Sequence, residues 1–231
     1  IGAGMLVNGT VGNTAAVNCT VKTGAGGELA NVGIGAGMLA EGGKVGSTTA
    51  VNSRVETRNP WTDAGIGGGW VSGTVGNTTA VNCNVSSAGS GAIGGGGVLT
   101  DGIVGNTAAV KCEVKVQGND ADGIGAGKLW GKIVGDSKAV NTSVNGKPKG
   151  SGSLSDYPDL CQRADPRLLA PDCTVKREYM DSFSRSLDND CPVEIPVLFL
   201  SVAGGGLVAG GYIAYHLITG YRQGLRGAQL R

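Results

Sequence analysis

The stretch that decides the fold is Val75-Gly76-Asn77-Thr78-Thr79-Ala80-Val81-Asn82-Cys83-Asn84-Val85. It is rich in β-branched residues and alternates through Ala-Val-Asn-Cys-x-Val, as a short strand with one buried face does. Gly and Asn are frequent and no apolar stripe recurs at helical spacing, which argues against a helix. The same block returns at Val11–Val21, Val45–Val55, Val104–Val114 and Val134–Val144. A second block, Ile-Gly-(Ala/Gly)-Gly, opens at Ile1, Ile34, Ile66, Ile93 and Ile124, at spacings of 33, 32, 27 and 31 residues. Five copies of a two-block pattern define a repeat protein.

One unit of two or three short strands cannot bury its own face, but stacked units can. The expected fold is therefore all-β: a parallel β-solenoid of five repeats over residues 1–145. Ladders ~4.8 Å apart would make a rod roughly 25 Å long. Equivalent residues then form columns. Asn18, Asn52, Asn82 and Asn141 form one, broken by Lys111, and Asn suits sharp corners. Cys19, Ser53, Cys83, Cys112 and Thr142 form another, expected as buried free thiols where Cys occurs. The Ile-Gly-x-Gly strings are expected at tight corners. Thr14, Thr48, Thr78, Thr107 and Ser137 form a hydroxyl column that would suit ice or glycan if it faced outward. The loop Glu56–Gly65 carries Trp61 and leaves from one edge, where a binding surface most easily evolves.

A Gly-rich G-x-L turn followed by a strand ending in Asn-Cys, as in Gly4–Leu6 with Asn18–Cys19, resembles the GLUG repeat of bacterial surface proteins. The resemblance spans residues 1–145. The Val-Gly-Asn-Thr-Thr wording departs from it, as do Ser53 and Thr142 in place of Cys. It implies a secreted or surface-attached protein, often an adhesin, without catalytic residues.

Composition narrows the function classes. The chain has 231 residues with 44 Gly, but the glycines follow no strict triplet, which excludes collagen. The net charge of +1 argues against nucleic-acid binding. The chain holds one His, His216, so the usual general base is nearly absent and no Ser/His/Asp or Cys/His constellation assembles in the repeats. The Gly strings recur five times, whereas a phosphate loop occurs once and is followed by Lys-Ser/Thr. Asp101, Glu113, Asp120 and Asp122 read as a solvated edge rather than a Ca²⁺ site. No enzyme, metal or cofactor is expected.

Composition shifts near residue 150: all five Tyr, both Phe and His216 lie beyond it. Residues 146–155 read as a linker. Residues 156–192 read as a small extracellular segment stapled by Cys161 and Cys173, with Cys191 as the alternative partner. Val175, Tyr179, Phe183 and Leu187 would line one face of a short helix there, capped by Thr174 or Asp172. Residues 193–221 include Ile195–Tyr221, which is free of charge and long enough for a membrane-spanning helix. Gly204, Gly205, Gly206, Gly210 and Gly211 would permit close helix packing. Arg222, Arg226 and Arg231 in the basic tail 222–231 place the C-terminus in the cytoplasm. The chain opens at a repeat boundary, so either a leader has been removed or earlier coils precede Ile1.

The functional expectation is a non-enzymatic, surface-displayed structural protein that self-associates into a filament or serves as an adhesin stalk, held by its hydrophobic helix. The rivals are a glycan- or ice-binding module and an accessory subunit of a membrane complex.

Overall fold

The computed structural model describes residues 1–23, 31–118, 120 and 122–178. Residues 179–231, with the hydrophobic segment, its glycines, the three arginines, His216, Cys191 and the expected helix positions Tyr179, Phe183 and Leu187, lie outside the described residues.

The chain forms an all-β parallel solenoid whose repeats each contribute one strand to each of four sheets. Sheet A stacks Gly2–Leu6, Val32–Leu39, Ala64–Val71, Gly91–Val98 and Ile124–Leu129. Sheet B stacks two-residue strands, Thr10–Val11 through Lys132–Ile133. Sheet C stacks Thr14–Val17, Thr48–Val51, Thr78–Val81, Thr107–Val110 and Ser137–Val140. Sheet D stacks Thr20–Lys22, Arg54–Thr57, Asn84–Ser87, Glu113–Val116 and Thr142–Val144. The register pairs like with like: Ile34 with Ile66, Ile66 with Ile93, Ile93 with Ile124, and Ala50 with Ala80.

Two expectations about strand limits are corrected. The run Ala-Val-Asn-Cys-x-Val is two strands with Asn at the corner between sheets C and D. Asn18, Asn52, Asn82 and Asn141 all adopt positive φ, near +50°. An L-residue pays ~1–2 kcal/mol for the left-handed region, and Asn is among the few that visit it routinely. The column is solvent-facing, and Asn82 Nδ2 donates to Asn52 Oδ1 at 3.2 Å. Lys111 takes the same conformation, with φ 52°, without the short polar side chain that eases it. The second correction concerns Ile-Gly-x-Gly, which lies inside the long strands of sheet A rather than at corners.

The glycine after each Ile is dictated by the stack. Gly35, Gly67 and Gly94 have φ of 105°, 110° and 116°, and a Cβ on any of them would lie 2.2 Å from a carbonyl oxygen of the next coil. Only glycine fits that approach.

The interior is filled by layered side chains. Ile34, Ile66, Ile93 and Ile124 pack with Ala16, Ala50, Ala80 and Ala109 and with Val55, Val85 and Val114. A second cluster joins Leu39, Val45, Val71, Val75, Val98 and Val104. Each buried aliphatic side chain is worth about 1.5–3 kcal/mol relative to exposure, so repetition accumulates the stability no single coil could supply.

Sheet C is apolar on both faces. Its alanines join the interior, while Val17, Val51, Val81 and Val110 pack outside against Cys161, Ala164, Leu168, Leu169 and Cys173. The segment after the solenoid thus covers the outer face of sheet C, and Ile1–Val193 forms one compact unit. Residues 146–155, expected as a linker, are built into that unit. Asn145 and Gly146 take φ of 50° and 74°, as an Asn-Gly hairpin turn requires, and Lys147–Lys149 returns antiparallel to Thr142–Val144. Gly150 packs against the Ala139 carbonyl of sheet C. Ser153 and Asp156 then close a capping box around the 3₁₀ turn Leu154–Asp156. Val175, expected on a helix face, instead pairs with Leu169 in an antiparallel bridge.

Candidate functional site

The covering segment and sheet C enclose a cleft of about 300 Å³. Its solenoid wall begins with three members of the column before each sheet C strand: Asn77, Asn106 and Asp136. Asn106 Nδ2 donates to Asn77 Oδ1 at 2.9 Å, and Asn106 Oδ1 accepts from Asp136 N–H at 3.1 Å. This ladder holds its amides in fixed orientations along the stack. The cleft floor is the outward column of sheet C at Thr79 and Ala108.

The opposite wall is the chain from Asp156 to Arg163. Three devices fix it. The Cys161–Cys173 disulfide closes the segment, with Cα atoms 5.1 Å apart. Asp165 N–H donates to Thr49 Oγ1 at 2.8 Å, tying the segment to sheet C one coil away from Thr79. Arg167 bonds the Asp165 carboxylate, with Nη2 to Oδ2 at 2.7 Å, and holds that carboxyl below the usual range. Lys138 Nζ lies 5.7 Å from the Tyr157 ring centroid, bridging the two walls by a cation–π contact.

The hydroxyl column does not present itself to solvent as the ice or glycan reading required. Thr48 and Thr78 are each 1% exposed, and the column points into the solenoid beside the positive-φ glycines. The hydroxyls of Thr48, Thr78 and Thr107 are buried without a hydrogen-bond partner among the described residues. The reason is parity: Thr and Ala of each Thr-x-Ala face inward together, so the outward positions are Thr79 and Val81.

The cysteine column is also interior. Cys83 and Cys112 carry buried free thiols, and Cys83 N–H donates to Cys112 Sγ at 3.4 Å. Burial pushes the Cys112 thiol well up, so it stays protonated and serves as the donor that lowers Cys83. Cys19 is disulfide-bonded, which corrects the expectation of free thiols throughout the repeats.

Charged groups elsewhere serve the solenoid surface. Glu56 accepts from Arg58 at 3.2 Å and pairs with Lys22 and Arg54, and its carboxyl is lowered mainly by Arg58. Asp63 is raised by burial while accepting the Ser90 N–H at 3.0 Å. Of the acidic set read as a solvated edge, Glu113 bonds Asn84 and Lys115, and Asp122 bonds Lys149. No group of His, Cys, Asp or Glu able to hold a metal ion occurs among the described residues. No helix among them is long and apolar enough to cross a membrane.

Sequence reasoning missed the cleft because its two walls come from segments up to 86 residues apart, Asn77 to Arg163. One signal existed: Thr-Thr-Ala-Val is apolar at both Ala and Val, the mark of a strand buried on two faces. Comparison with known protein families, curated proteins and solved structures finds no match to this chain.

Proposed function

We propose that the chain is a non-enzymatic structural protein of a cell surface, a rigid solenoid stalk held to the membrane by its Ile195–Tyr221 segment. The observation that carries this reading is the set of four continuous ladders around an interior of stacked Ile, Val, Ala, Gly and Thr. Such an interior maintains a fixed shape and gives neighbouring coils identical contacts, which is what a spacer needs. The oxidised Cys161–Cys173 pair supports an extracytoplasmic location, where disulfides persist.

A stalk is favoured over an endwise fibre. At one end the first-coil strands of all four sheets lack a strand partner among the described residues. At the other, Lys147–Lys149 pairs with sheet D and Gly150 lies against the Ala139 carbonyl of sheet C, so among the described residues the sheet D edge is the one closed by a further strand. A second copy cannot extend all four ladders there, which blunts the edge-to-edge growth that open strands invite. Negative-stain microscopy of the detergent-solubilised full chain is the test. Short uniform rods are expected; long unbranched filaments would replace the stalk with the fibre subunit.

A further inference from the structure

We propose that the cleft between the Asn77–Asn106 ladder and the Tyr157–Arg163 segment binds a neutral carbohydrate, sized for a mono- or disaccharide. The inference stands apart from the stalk reading, since a cleft of this kind would bind sugar on any scaffold.

The cleft offers a mixed set of uncommitted polar atoms. The ladder consumes Asn77 Oδ1 and both ends of the Asn106 amide. Among the residues lining the cleft, Asn77 Nδ2, the Gln162 amide, the Arg163 guanidinium, the Asp136 and Asp159 carboxylates and the Thr79 hydroxyl make no hydrogen bond among the described residues. Each sugar hydroxyl donates once and accepts as well, so it needs donors and acceptors interleaved on one surface. Here guanidinium and amide donors stand among carboxylates, and the Tyr157 ring adds an apolar wall for C–H faces.

The cleft's charges disfavour ionic ligands of either sign. Asp136, Asp156 and Asp159 oppose Lys138 and Arg163 along the lining. A phosphate or uronate would meet three carboxylates, and a divalent cation would meet an ammonium and a guanidinium. A neutral polyol meets neither penalty.

Both walls are preorganised. The solenoid wall is fixed by its ladder and the other by the Cys161–Cys173 bridge, the Ser153 capping box and the Thr49–Asp165 bond. Little backbone freedom remains to be lost on binding, and a volume of about 300 Å³ sits at the small end of ligand sites.

The experiment is saturation-transfer NMR with calorimetric titration of the full chain. The probes are glucose, galactose, mannose and their disaccharides, beside glucuronate, inorganic phosphate and Ca²⁺. At least one neutral sugar should show transfer and saturable binding. Arg163→Ala and Asp159→Asn should each weaken it about tenfold or more without moving the thermal midpoint, because both side chains are exposed. The proposal is overturned if no neutral sugar shows transfer, if glucuronate, phosphate or Ca²⁺ binds instead, or if both variants bind sugar as the parent does.

Discussion

Replacing Gly67 by alanine should damage the protein far more than the same change at Gly12, although both glycines occur in every-coil positions of similar sequences. Gly67 has φ 110°, and a Cβ there would sit 2.2 Å from the Gly94 carbonyl oxygen and 2.6 Å from Thr78 Oγ1. The first obstacle is backbone of the next coil, locked by sheet A ladders on both sides. Relief needs a shift of about 1 Å in a close-packed stack, comparable to overpacking a core at ~1–3 kcal/mol. Holding an L-residue in that region of φ adds ~1–3 kcal/mol. The sum is about 2–6 kcal/mol, and a domain of this size loses roughly 2–4 °C of Tm per kcal/mol. At Gly12 a Cβ would meet nothing within 4 Å. Alanine there should change stability by less than about 1 kcal/mol, and reduced freedom of the unfolded chain pushes it toward stabilisation. Urea unfolding of the two variants beside the parent measures both numbers. Equal midpoints for Gly67→Ala and Gly12→Ala would refute the claim that coil-to-coil carbonyl contact dictates this glycine.

Further outcomes follow from other features. Lys111→Asn should stabilise by about 1 kcal/mol in the same unfolding assay, because it puts the residue type suited to positive φ into the corner column. Replacing both Cys161 and Cys173 by Ser should cost about 3 kcal/mol, the loop-closure value for a bridge of this span, and should expose Val51 and Val81 to a hydrophobic dye. Arg167 lowers the folded-state pKa of Asp165, so the unfolded state binds more protons in that window. Its contribution is therefore complete above the unfolded value of ~3.9 and is lost as pH falls through the lower folded value. Asp165→Asn should flatten that part of the acid limb of Tm against pH, and an unchanged limb would remove Asp165 from the account.

Much of this architecture was legible in the residues. Two recurring blocks at about thirty-residue spacing are enough to require stacked coils, since Ile66 or Val85 has nowhere else to be buried. The Asn column was legible too, though its role as a left-handed corner depends on backbone dihedrals that a column of letters does not reveal. Strand parity was harder. The Asn corner resets the alternation between sheets C and D, so the face taken by Thr78 cannot be read by counting from Val85. The covering segment was hardest, because Leu168 and Leu169 carry no mark of the valines they meet, and the contact spans most of the chain. Asn145-Gly146 is the exception among the missed features: that pair is a strong hairpin signal. The Gly, Ser and Lys residues that follow it have the composition of a linker.

The stack itself can be measured directly. Thr10 and Lys132 are exposed and occupy the same column of sheet B, four steps apart along its ladder through Lys44, Thr74 and Ile103. With steps of about 4.8 Å, their backbones stand ~19 Å apart despite the long chain between them. Spin labels on a Thr10→Cys, Lys132→Cys variant should give one narrow pulsed-dipolar distance distribution centred within a label's reach of that value. A broad distribution, or one centred beyond about 35 Å, would mean that these repeats do not stack as coils.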